Sequence, residues 1–495
     1  MIGHPLTAIG LSRPRSAPSE ASAVGSGTGI LQRNAQVLLL YVVLQARALV
    51  QVPALTRALT VEEFGALTLA LWIAGSAGTL SLLGLQTGLF LNLVRLEAAR
   101  TRAALASVLA IAVPLAGIVG LAATLVLTRG LGGPWLESAR APAIPIGVLI
   151  AASALREIAM VAPRARQDVG FFWTNSLWMH YGGFAIGWAL ALRQGPAGFL
   201  LGLAAGSLSG AAVALVHSLR RSEGPAAWDR DFLARVARSS APVLPLALAH
   251  MSLQSLDYVF VSRFLGAAAL APYGLAYTLA SPVLLLVAVV NFTLVPETVA
   301  RHRRGGADLA SFVERMLAWA WTGALVAVAG AIVIGPRVVE AIAGNRYRAA
   351  ADLLPAIVAS YSFFALAQVL HLVRSALVAN VRYTATIAVA CALVNAAGNF
   401  WLIPAYGLRG AAAMTLASFL LYYAGMRAAL KPLLPEVHGE RRPGLLMLGL
   451  AALPVLPLMD PSAGARAIAA LGLVGLAVVT ASRRRTRRAG GRPLP

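Results

Sequence analysis

The stretch HMSLQSLDYVFVSRFLGAAALAPYGLAYTLASPV, residues 250–283, is dominated by Ala, Leu, Val and aromatic residues, yet it contains a histidine, a glutamine and an aspartate. Apolar runs of about 18 residues or more recur along the whole chain, and runs of that length are typical of helices that cross a membrane. Only 12% of the 495 residues are charged and 59% are hydrophobic, whereas soluble proteins are about a quarter charged. The sequence therefore predicts an all-α polytopic membrane protein.

The apolar runs predict about fourteen transmembrane helices joined by short loops. The longest interior polar loop, residues 220–238, follows the sixth run and divides the first twelve into two groups of six. Within it, WDRDFLARVARSS (228–240) has apolar residues at helical spacing, which predicts a short amphipathic helix on the cytoplasmic surface. The predicted spans are 35–57, 65–91, 103–127, 143–162, 170–192, 197–219, 239–262, 270–296, 317–336, 353–378, 383–403, 410–430, 444–459 and 464–481.

The two groups of six helices also echo each other. Arg57 follows the first apolar run and Arg263 follows the seventh, and each leads through a short Ala/Leu turn to a glycine that opens the next helix. Repeated six-helix halves are a common transporter plan. The predicted parts of the chain are a disordered cytoplasmic tail at 1–30, an N-lobe at 31–219, a linker at 220–238, a C-lobe at 239–430, two further helices at 431–482 and a basic cytoplasmic tail at 483–495.

The net charge of +22 would indicate a nucleic-acid partner in a soluble chain. In a membrane protein Lys and Arg collect in cytoplasmic loops, and here they are roughly three times as frequent on one side of the predicted spans as on the other. This asymmetry predicts a multi-pass protein of the cell inner (plasma) membrane with both termini cytoplasmic and no nucleic-acid partner. For the tail SRRRTRR (482–488), binding to nucleic acid or anionic lipid is the alternative to a purely topogenic role.

The sequence contains no pattern typical of catalysis. Cys391 is the single cysteine, so neither a disulfide framework nor a cysteine metal cluster is expected. No phosphate-binding loop of the GxxxxGK[ST] type and no HExxH metal motif is present. We therefore expect a protein that is not an enzyme and that has no cofactor, apart from coupling to H⁺ or Na⁺.

Four stretches carry a resemblance to a known family: LTRALTVEEFGALTLA (55–70), LDYVFVSRFLGAAALAPYGLAYTLASPV (256–283), VNFTLVPETVARH (290–302) and VNAAGNFWLIPAYGLRGAAAMTLAS (394–418). They resemble the bacterial polysaccharide flippases, whose superfamily also contains multidrug and toxin extruders (MATE) and lipid II flippases. The resemblance implies a V-shaped, MATE-like pair of six-helix lobes around a cavity that opens alternately to each side. It also implies that the cargo is an isoprenoid-diphosphate-linked oligosaccharide in the lipid bilayer, with polysaccharide assembly proteins as candidate partners.

Polar side chains share single faces of several predicted spans. An Arg, Lys or Asp at the middle of a membrane helix costs about 2.5–3.5 kcal/mol on insertion scales, so such groups usually face water or a partner. The i, i+4, i+7 spacing of His250, Gln254 and Asp257 puts all three on one face, which predicts a helix that lines a hydrated space. The same argument gives Arg47 with Gln51, Gln368 with His371 and Arg374, and Asn395 with Asn399 as further candidates for the cavity lining.

Two roles follow for these residues. Arg47, Arg156 and Arg374 are predicted to attract the diphosphate of a lipid carrier, because guanidinium groups pair bidentately with phosphate oxygens. Asp257, with His250 or His371, is predicted to bind H⁺ or Na⁺ and so to couple an ion gradient to transport.

Structural roles are the alternative for several of them. Arg156 can pair with the adjacent Glu157 or extend to the membrane surface, Asp257 can pair with another helix, and buried histidines often only hold helices together. The aromatic stretch FFWTNSLWMHYGGF (171–184) predicts interface anchors, with stacking on sugar rings as the alternative.

Other cargoes and classes also remain open. A lipid II flippase or a multidrug exporter would have the same fold, although three intramembrane arginines favour an anionic cargo over a cationic drug. A membrane-embedded polysaccharide polymerase or ligase is disfavoured, because such enzymes need a large outer loop and the longest one here, around 337–352, is short.

Overall fold

The computed structural model describes residues 39–476 apart from 41, 95, 98–99, 286–297, 299–300, 303–305, 379–381, 439–441, 461 and 463. The tails predicted at 1–30 and 483–495 and part of the stretch 290–302 lie outside the described residues. Within those residues the chain is helical, with turns and no strands. The fold class expected from the sequence, an all-α membrane protein, is therefore confirmed.

Among the described residues, the first half of the chain has nine helices from Ala48 to Arg220. Residues 42–46 are also helical and precede the first of them after a turn at Arg47. The π-helical turn Trp178–Gly182 joins the last two. The helices are α1 (Ala48–Ala58), α2 (Val61–Ser81), α3 (Leu85–Leu93), α4 (Thr101–Thr128), α5 (Glu137–Arg140), α6 (Ala143–Ala159), α7 (Val161–Ala165), α8 (Val169–Leu177) and α9 (Gly183–Arg220).

The second half continues with α10 (Arg230–Ser240), α11 (Leu244–Ser255), α12 (Asp257–Leu265), α13 (Ala267–Ala280), α14 (Gly306–Ala343), α15 (Ala349–Leu377), α16 (Arg382–Leu430), α17 (Arg442–Ala452), α18 (Val455–Met459) and α19 (Gly464–Leu476). Of all the described helices, eight are long and apolar enough to cross a membrane, or nine if the bent segment from α10 to α12 is one span. The chain is thus a multi-pass membrane protein, and the count of fourteen spans stays a prediction.

Two of the three longest described helices, α9 and α16, are folded back on themselves. Gly195 in α9 has φ 57° and ψ −142°, and Gly407 in α16 has φ 59° and ψ −141°. Glycine adopts such left-handed backbone angles without the steric cost that a side chain brings. Each glycine therefore turns the chain into an antiparallel hairpin, and each turn falls between two predicted spans.

A glycine ladder lets the two arms of α9 touch. Glycines recur every fourth residue from Gly198 to Gly210, and a methyl group added at Gly202 would lie 2.1 Å from the backbone nitrogen of Gly187. In a membrane, helices gain from close packing of small residues, since lipid is as apolar as a leucine side chain. The glycine spacing thus lets the backbones of the two arms of α9 come into contact.

The two lobes meet along α2 and α13. A capping box, in which Thr60 and Glu63 bond to each other's backbone N–H, starts α2. A methyl group on Gly65 would lie 2.0 Å from the Ala267 carbonyl oxygen, and one on Gly274 would lie 2.5 Å from Thr68. The residue numbers at these contacts increase together, from Gly65 with Ala267 to Thr68 with Gly274, so α2 and α13 run in the same direction.

Further contacts between the lobes lie at the end of the molecule that the sequence predicts to be outside the cell. Ser262 donates a hydrogen bond to the Trp135 carbonyl at 2.7 Å. The Phe64 and Tyr347 rings meet edge to face at 5.6 Å. Together with the α2–α13 contact, these interactions close the junction between the lobes at that end.

The linker helix α10 lies against the N-lobe. Its buried face consists of Phe232, Val236 and Ser240, spaced four residues apart. The Ser240 hydroxyl donates to the Gly84 carbonyl at 3.0 Å, and Asn92 donates to the Ser239 hydroxyl at 3.0 Å. Helix α10 therefore packs on the N-lobe and connects it to the first helix of the C-lobe.

Candidate functional site

The N-lobe brings two of the predicted arginines together, in a group that we call the arginine cluster: Arg47, Arg156, Glu157, His180 and Tyr181. Arg47 lies at the turn before α1, Arg156 near the end of α6, and His180 and Tyr181 in the π-helical turn before α9. The charges of Arg47 and Arg156 act on each other and on His180. The structure thus joins three elements that are distant in sequence.

Hydrogen bonds hold this cluster in place. Arg156 donates to the Glu157 carboxylate at 3.0 Å, which is the structural pairing that the sequence left open. Tyr181 donates to the Val43 carbonyl at 2.5 Å, and His180 Nδ1 lies 2.8 Å from the Ser176 carbonyl. The cluster has two guanidinium groups and one carboxylate, so it keeps an excess positive charge. Its two like charges repel each other.

The arginine cluster is accessible to solvent in part. The side chain of Arg156 is 27% exposed and that of Glu157 is 42% exposed. Arg47 and Gln51 are half-buried, and the Gln51 N–H donates to the Arg47 carbonyl at 2.8 Å. The first helical segment also reaches the C-lobe, since Gln45 donates to the Ser281 hydroxyl at 3.2 Å. An anionic group that entered the junction between the lobes would therefore meet this cluster.

The C-lobe surrounds Asp257 with hydroxyl groups, an arrangement that we call the tyrosine cage: Asp257, Tyr273, Tyr277 and Thr415. Tyr273 and Tyr277, one turn apart on α13, each donate to Asp257 Oδ2 at 2.5 Å. Thr415 on α16 donates to the same oxygen at 3.1 Å, and the Tyr258 N–H donates to Oδ1 at 3.0 Å. A buried carboxylate needs such donors, because burial removes its hydration.

This geometry corrects one expectation. The sequence predicted that Asp257 lines an open, hydrated cavity, but its exposed fraction is 1%. The three hydroxyl donors close around the carboxylate and take the places that water would fill. Leu256, between α11 and α12, has helical backbone angles of φ −67° and ψ −24°, so the chain continues from α11 into α12 without leaving the helical conformation.

Asn395 and Asn399 form a second buried polar group beside the cage. Asn395 donates to the Ser418 hydroxyl and Asn399 donates to the Asn395 carbonyl oxygen, both at 3.0 Å. In the antiparallel hairpin of α16, Asn399 lies one turn further along, at the level of Thr415. The Asn399 carbonyl oxygen is buried and has no hydrogen-bond partner among the described residues. It is thus available as a ligand next to the tyrosine cage.

The two histidines lie together but not at the cage. His250 Nε2 is 2.7 Å from the Tyr422 hydroxyl, and the His250 and His371 rings are 6.4 Å apart. None of the hydrogen bonds of Asp257 reaches a histidine. The packing of His250 against Phe364 fits the alternative in which buried histidines connect helices.

The remaining candidates on α11 and α15 are dispersed. Arg374 lies over the Tyr383 ring, with 5.2 Å from its guanidinium carbon to the ring centre. The Gln368 carbonyl oxygen is buried, without a hydrogen-bond partner within the described part of the chain. Gln254 is half-buried. The structure therefore does not bring Arg374 into the arginine cluster with Arg47 and Arg156.

Sequence reasoning missed five residues that complete these two groups. Tyr273 and Tyr277 are spaced i, i+4, and Thr415 precedes Ser418 by three residues. Helical spacing could therefore have indicated that each pair shares one face of its helix. His180 and Tyr181 were assigned to an interface anchor. Hydroxyl side chains carry no charge, so the cost of placing a charge inside the membrane does not single them out.

Comparisons with known proteins agree with this architecture. The polysaccharide biosynthesis protein family matches residues 54–352, more than half of the chain. No curated protein sequence matches the chain.

Solved structures with a similar fold include the lipid II flippase MurJ in an inward closed conformation, at a TM-score of 0.65 and 12% identity over 91% of this chain and 99% of that one. They also include two multidrug resistance MATE family transporters of the MOP superfamily. The inward-facing structure has a TM-score of 0.61 and 15% identity over 79% of this chain and 95% of that one. The outward-facing structure has a TM-score of 0.54 and 14% identity over 84% of this chain and 98% of that one.

These likenesses confirm the predicted two-lobed, MATE-like fold. The family match covers three of the four stretches on which the resemblance was based, 55–70, 256–283 and 290–302, and it includes both halves of the α2–α13 contact. The chain is a member of the polysaccharide biosynthesis protein family.

Proposed function

We propose that this protein is a transporter, and not an enzyme, that moves an isoprenoid-diphosphate-linked oligosaccharide from the cytoplasmic to the outer leaflet of the bacterial inner membrane. The observation that carries the proposal is the arginine cluster, in which Arg156 pairs with the Glu157 carboxylate and the nearby Arg47 adds a further positive charge. An unbalanced positive charge inside a membrane protein is costly. A diphosphate would neutralise it, and guanidinium groups bind phosphate oxygens in a bidentate manner.

The closed junction between the lobes supports alternating access. The contacts of α2 with α13 and of Ser262 with Trp135 lie at the predicted outer end. The arginine cluster lies nearer the predicted cytoplasmic end. With both termini cytoplasmic, as the charge asymmetry predicts, the diphosphate enters from the cytoplasm, and the lobes then rock to open the outer side.

We assign ion coupling to the tyrosine cage. The carboxylate of Asp257, three hydroxyl groups and the unpartnered oxygen of Asn399 offer oxygen atoms from α12, α13 and α16. Carboxylate and carbonyl oxygens are hard ligands of the kind that Na⁺ accepts, and a carboxylate also accepts a proton. Occupation by H⁺ or Na⁺ would change how tightly the three helices hold together, which links the gradient to the movement of the lobe.

Two other cargoes have the same fold. Lipid II also carries a diphosphate, so the arginine cluster fits it equally well. A multidrug exporter for cations would need acidic groups in its cavity, and the one buried aspartate among the described residues is sealed in the tyrosine cage. Polysaccharide assembly proteins are the partners that the first cargo would require.

A transport assay with matched charge variants tests the proposal. The double variant Arg47→Gln/Arg156→Gln is compared with Arg140→Gln/Arg193→Gln, which removes two charges at the predicted outer surface. We expect loss of surface polysaccharide export only in the first variant, at equal protein abundance in the membrane. Normal export by Arg47→Gln/Arg156→Gln would refute the assignment of the arginine cluster. Restored peptidoglycan synthesis in cells lacking their lipid II flippase would favour the second cargo.

A further inference from the structure

A groove at the predicted cytoplasmic membrane surface lies outside the transport site. It has a volume of about 480 Å³ at the ends of α8 and α9. One end is apolar and the other is basic. We call it the Arg220 groove, and the residues used below are Phe171, Val213, Val216, His217, Arg220 and Arg221.

The basic end has more positive charge than its single carboxylate can balance. Asp168 accepts hydrogen bonds from Arg221 at 2.5 Å and interacts with His217 Nε2 at 2.8 Å. Arg166 donates to the Ser222 hydroxyl at 2.8 Å. Arg220 is exposed and has no ion-pair partner among the described residues. Arg166 and Arg221 lie near Asp168, and Arg220 adds a further positive charge next to Arg221 on α9, so an anion would be attracted there.

The end of α9 would normally repel an anion, because its last carbonyl groups carry partial negative charge. Here two other arginines bind these carbonyls. Arg102 donates to the Leu219 carbonyl and Arg166 donates to the Ser218 carbonyl, both at 3.2 Å. The repulsion is thus removed, and Arg220 and Arg221 remain available at the rim.

The apolar end faces the lipid. Val213 is 52% exposed and Val216 is 48% exposed, one turn apart on α9. The floor of the groove is rigid, since the Phe171 ring stacks on His217 with 3.8 Å between ring centres. In a protein that crosses a membrane, such apolar side chains are covered by acyl chains.

We propose that the Arg220 groove binds an anionic phospholipid of the cytoplasmic leaflet. Arg220 and Arg221 hold the headgroup phosphate, and an acyl chain lies along Val213 and Val216. Basic pockets at the cytoplasmic ends of membrane helices recognise anionic headgroups in this way. The continuity of the charged rim with a lipid-facing apolar wall favours a lipid over a free anion, which would need only the rim.

Fluorescence quenching tests this assignment on the full chain. Cys391→Ser removes the only cysteine, and Val213→Cys then carries a fluorescent label beside the groove. Quenching by brominated phosphatidylglycerol and by brominated phosphatidylcholine gives the relative affinity of the two lipids at that site. We expect phosphatidylglycerol to be preferred by on the order of fivefold for each rim arginine.

Charge variants separate a built site from general attraction to basic loops. Arg220→Gln/Arg221→Gln should abolish the preference, while Arg220→Lys/Arg221→Lys should keep most of it. The matched control Arg230→Gln/Arg238→Gln removes two exposed charges from α10 and should leave it unchanged. An unchanged preference in Arg220→Gln/Arg221→Gln, or an equal loss in the control, would overturn the proposal. Equally effective competition by inorganic phosphate would indicate a free-anion site and would also overturn it.

Discussion

The two lobes accommodate charge inside the membrane in opposite ways. In the N-lobe, Arg156 pairs with a partly exposed carboxylate, and the nearby Arg47 leaves the cluster with an excess positive charge. In the C-lobe, Asp257 is 1% exposed and accepts hydrogen bonds from three hydroxyl groups and one backbone N–H. The first arrangement suits a group that binds and releases an anion. The second suits a site that holds a small cation or keeps three helices together.

The largest effect is expected where the enclosed charge is removed. Asp257→Ala leaves Tyr273, Tyr277 and Thr415 without their acceptor, at about 1–3 kcal/mol for each buried donor that finds no other partner. We therefore expect a lower melting temperature of the purified protein and loss of transport. The matched variant Asp460→Ala removes an exposed aspartate and should change neither measurement. A melting temperature of Asp257→Ala equal to that of the wild type would show that the cage does not stabilise the C-lobe.

The N-lobe should respond in transport and not in stability. Arg47→Gln/Arg156→Gln removes hydrogen bonds to a charged cargo, each worth about 1.5–3 kcal/mol, so export should fall at least tenfold. Because the removed charges repel each other, the melting temperature should stay the same or rise. The comparison between the lobes fails if this variant unfolds as readily as Asp257→Ala does.

Single hydroxyl deletions sharpen the description of the tyrosine cage. Tyr277→Phe removes one of four donors and keeps the ring, so the expected loss of stability is about 1 kcal/mol, the net value of one hydrogen bond. The ion dependence of transport should change in the same variant if Tyr277 is an ion ligand. An altered melting temperature with unchanged ion dependence would indicate a purely structural cage.

The smallest effect concerns charges outside the membrane. Burial raises the pKa of Asp168, but the hydrogen bonds from His217 and Phe171 and the charge of Arg221 outweigh it, so the pKa lies below its ordinary value. A lowered pKa contributes stability that is present above the unfolded value of about 3.9 and is lost as pH falls through the folded pKa.

Asp168→Asn should therefore weaken the dependence of the melting temperature on pH in the acid range alone. Because the Asp168 side chain is 22% exposed, solvent screening reduces the change. If Asp168→Asn lost as much stability at neutral pH as Asp257→Ala does, the proposed difference between the partly exposed Asp168 and the buried Asp257 would be wrong.

Much of this architecture is predictable from sequence. Apolar runs and the asymmetry of Lys and Arg indicate the membrane class and the orientation, because lipid selects strongly against charge. Helical spacing predicted the amphipathic pattern of 228–240, where the structure has α10 with one buried face. The family itself followed from short stretches around Arg57 and Asp257.

The interior of the sites was less predictable. Spacing on one helix indicates a shared face but not which other helix covers that face. The partners of Asp257 come from α13 and α16, up to 158 residues away. Neutral hydroxyl groups such as Thr415 give no signal in an apolar sequence, so the closure of the tyrosine cage required the tertiary structure.

Water access to the two regions tests the account most directly. In a Cys391→Ser background, single cysteines at Gln51, beside the arginine cluster, and at Thr415, in the tyrosine cage, are exposed to a membrane-impermeant thiol reagent in inside-out vesicles. The account predicts rapid labelling at position 51, slowed by a diphosphate-linked lipid, and no labelling at position 415. Labelling at 415 with position 51 sealed from both sides of the membrane would contradict it.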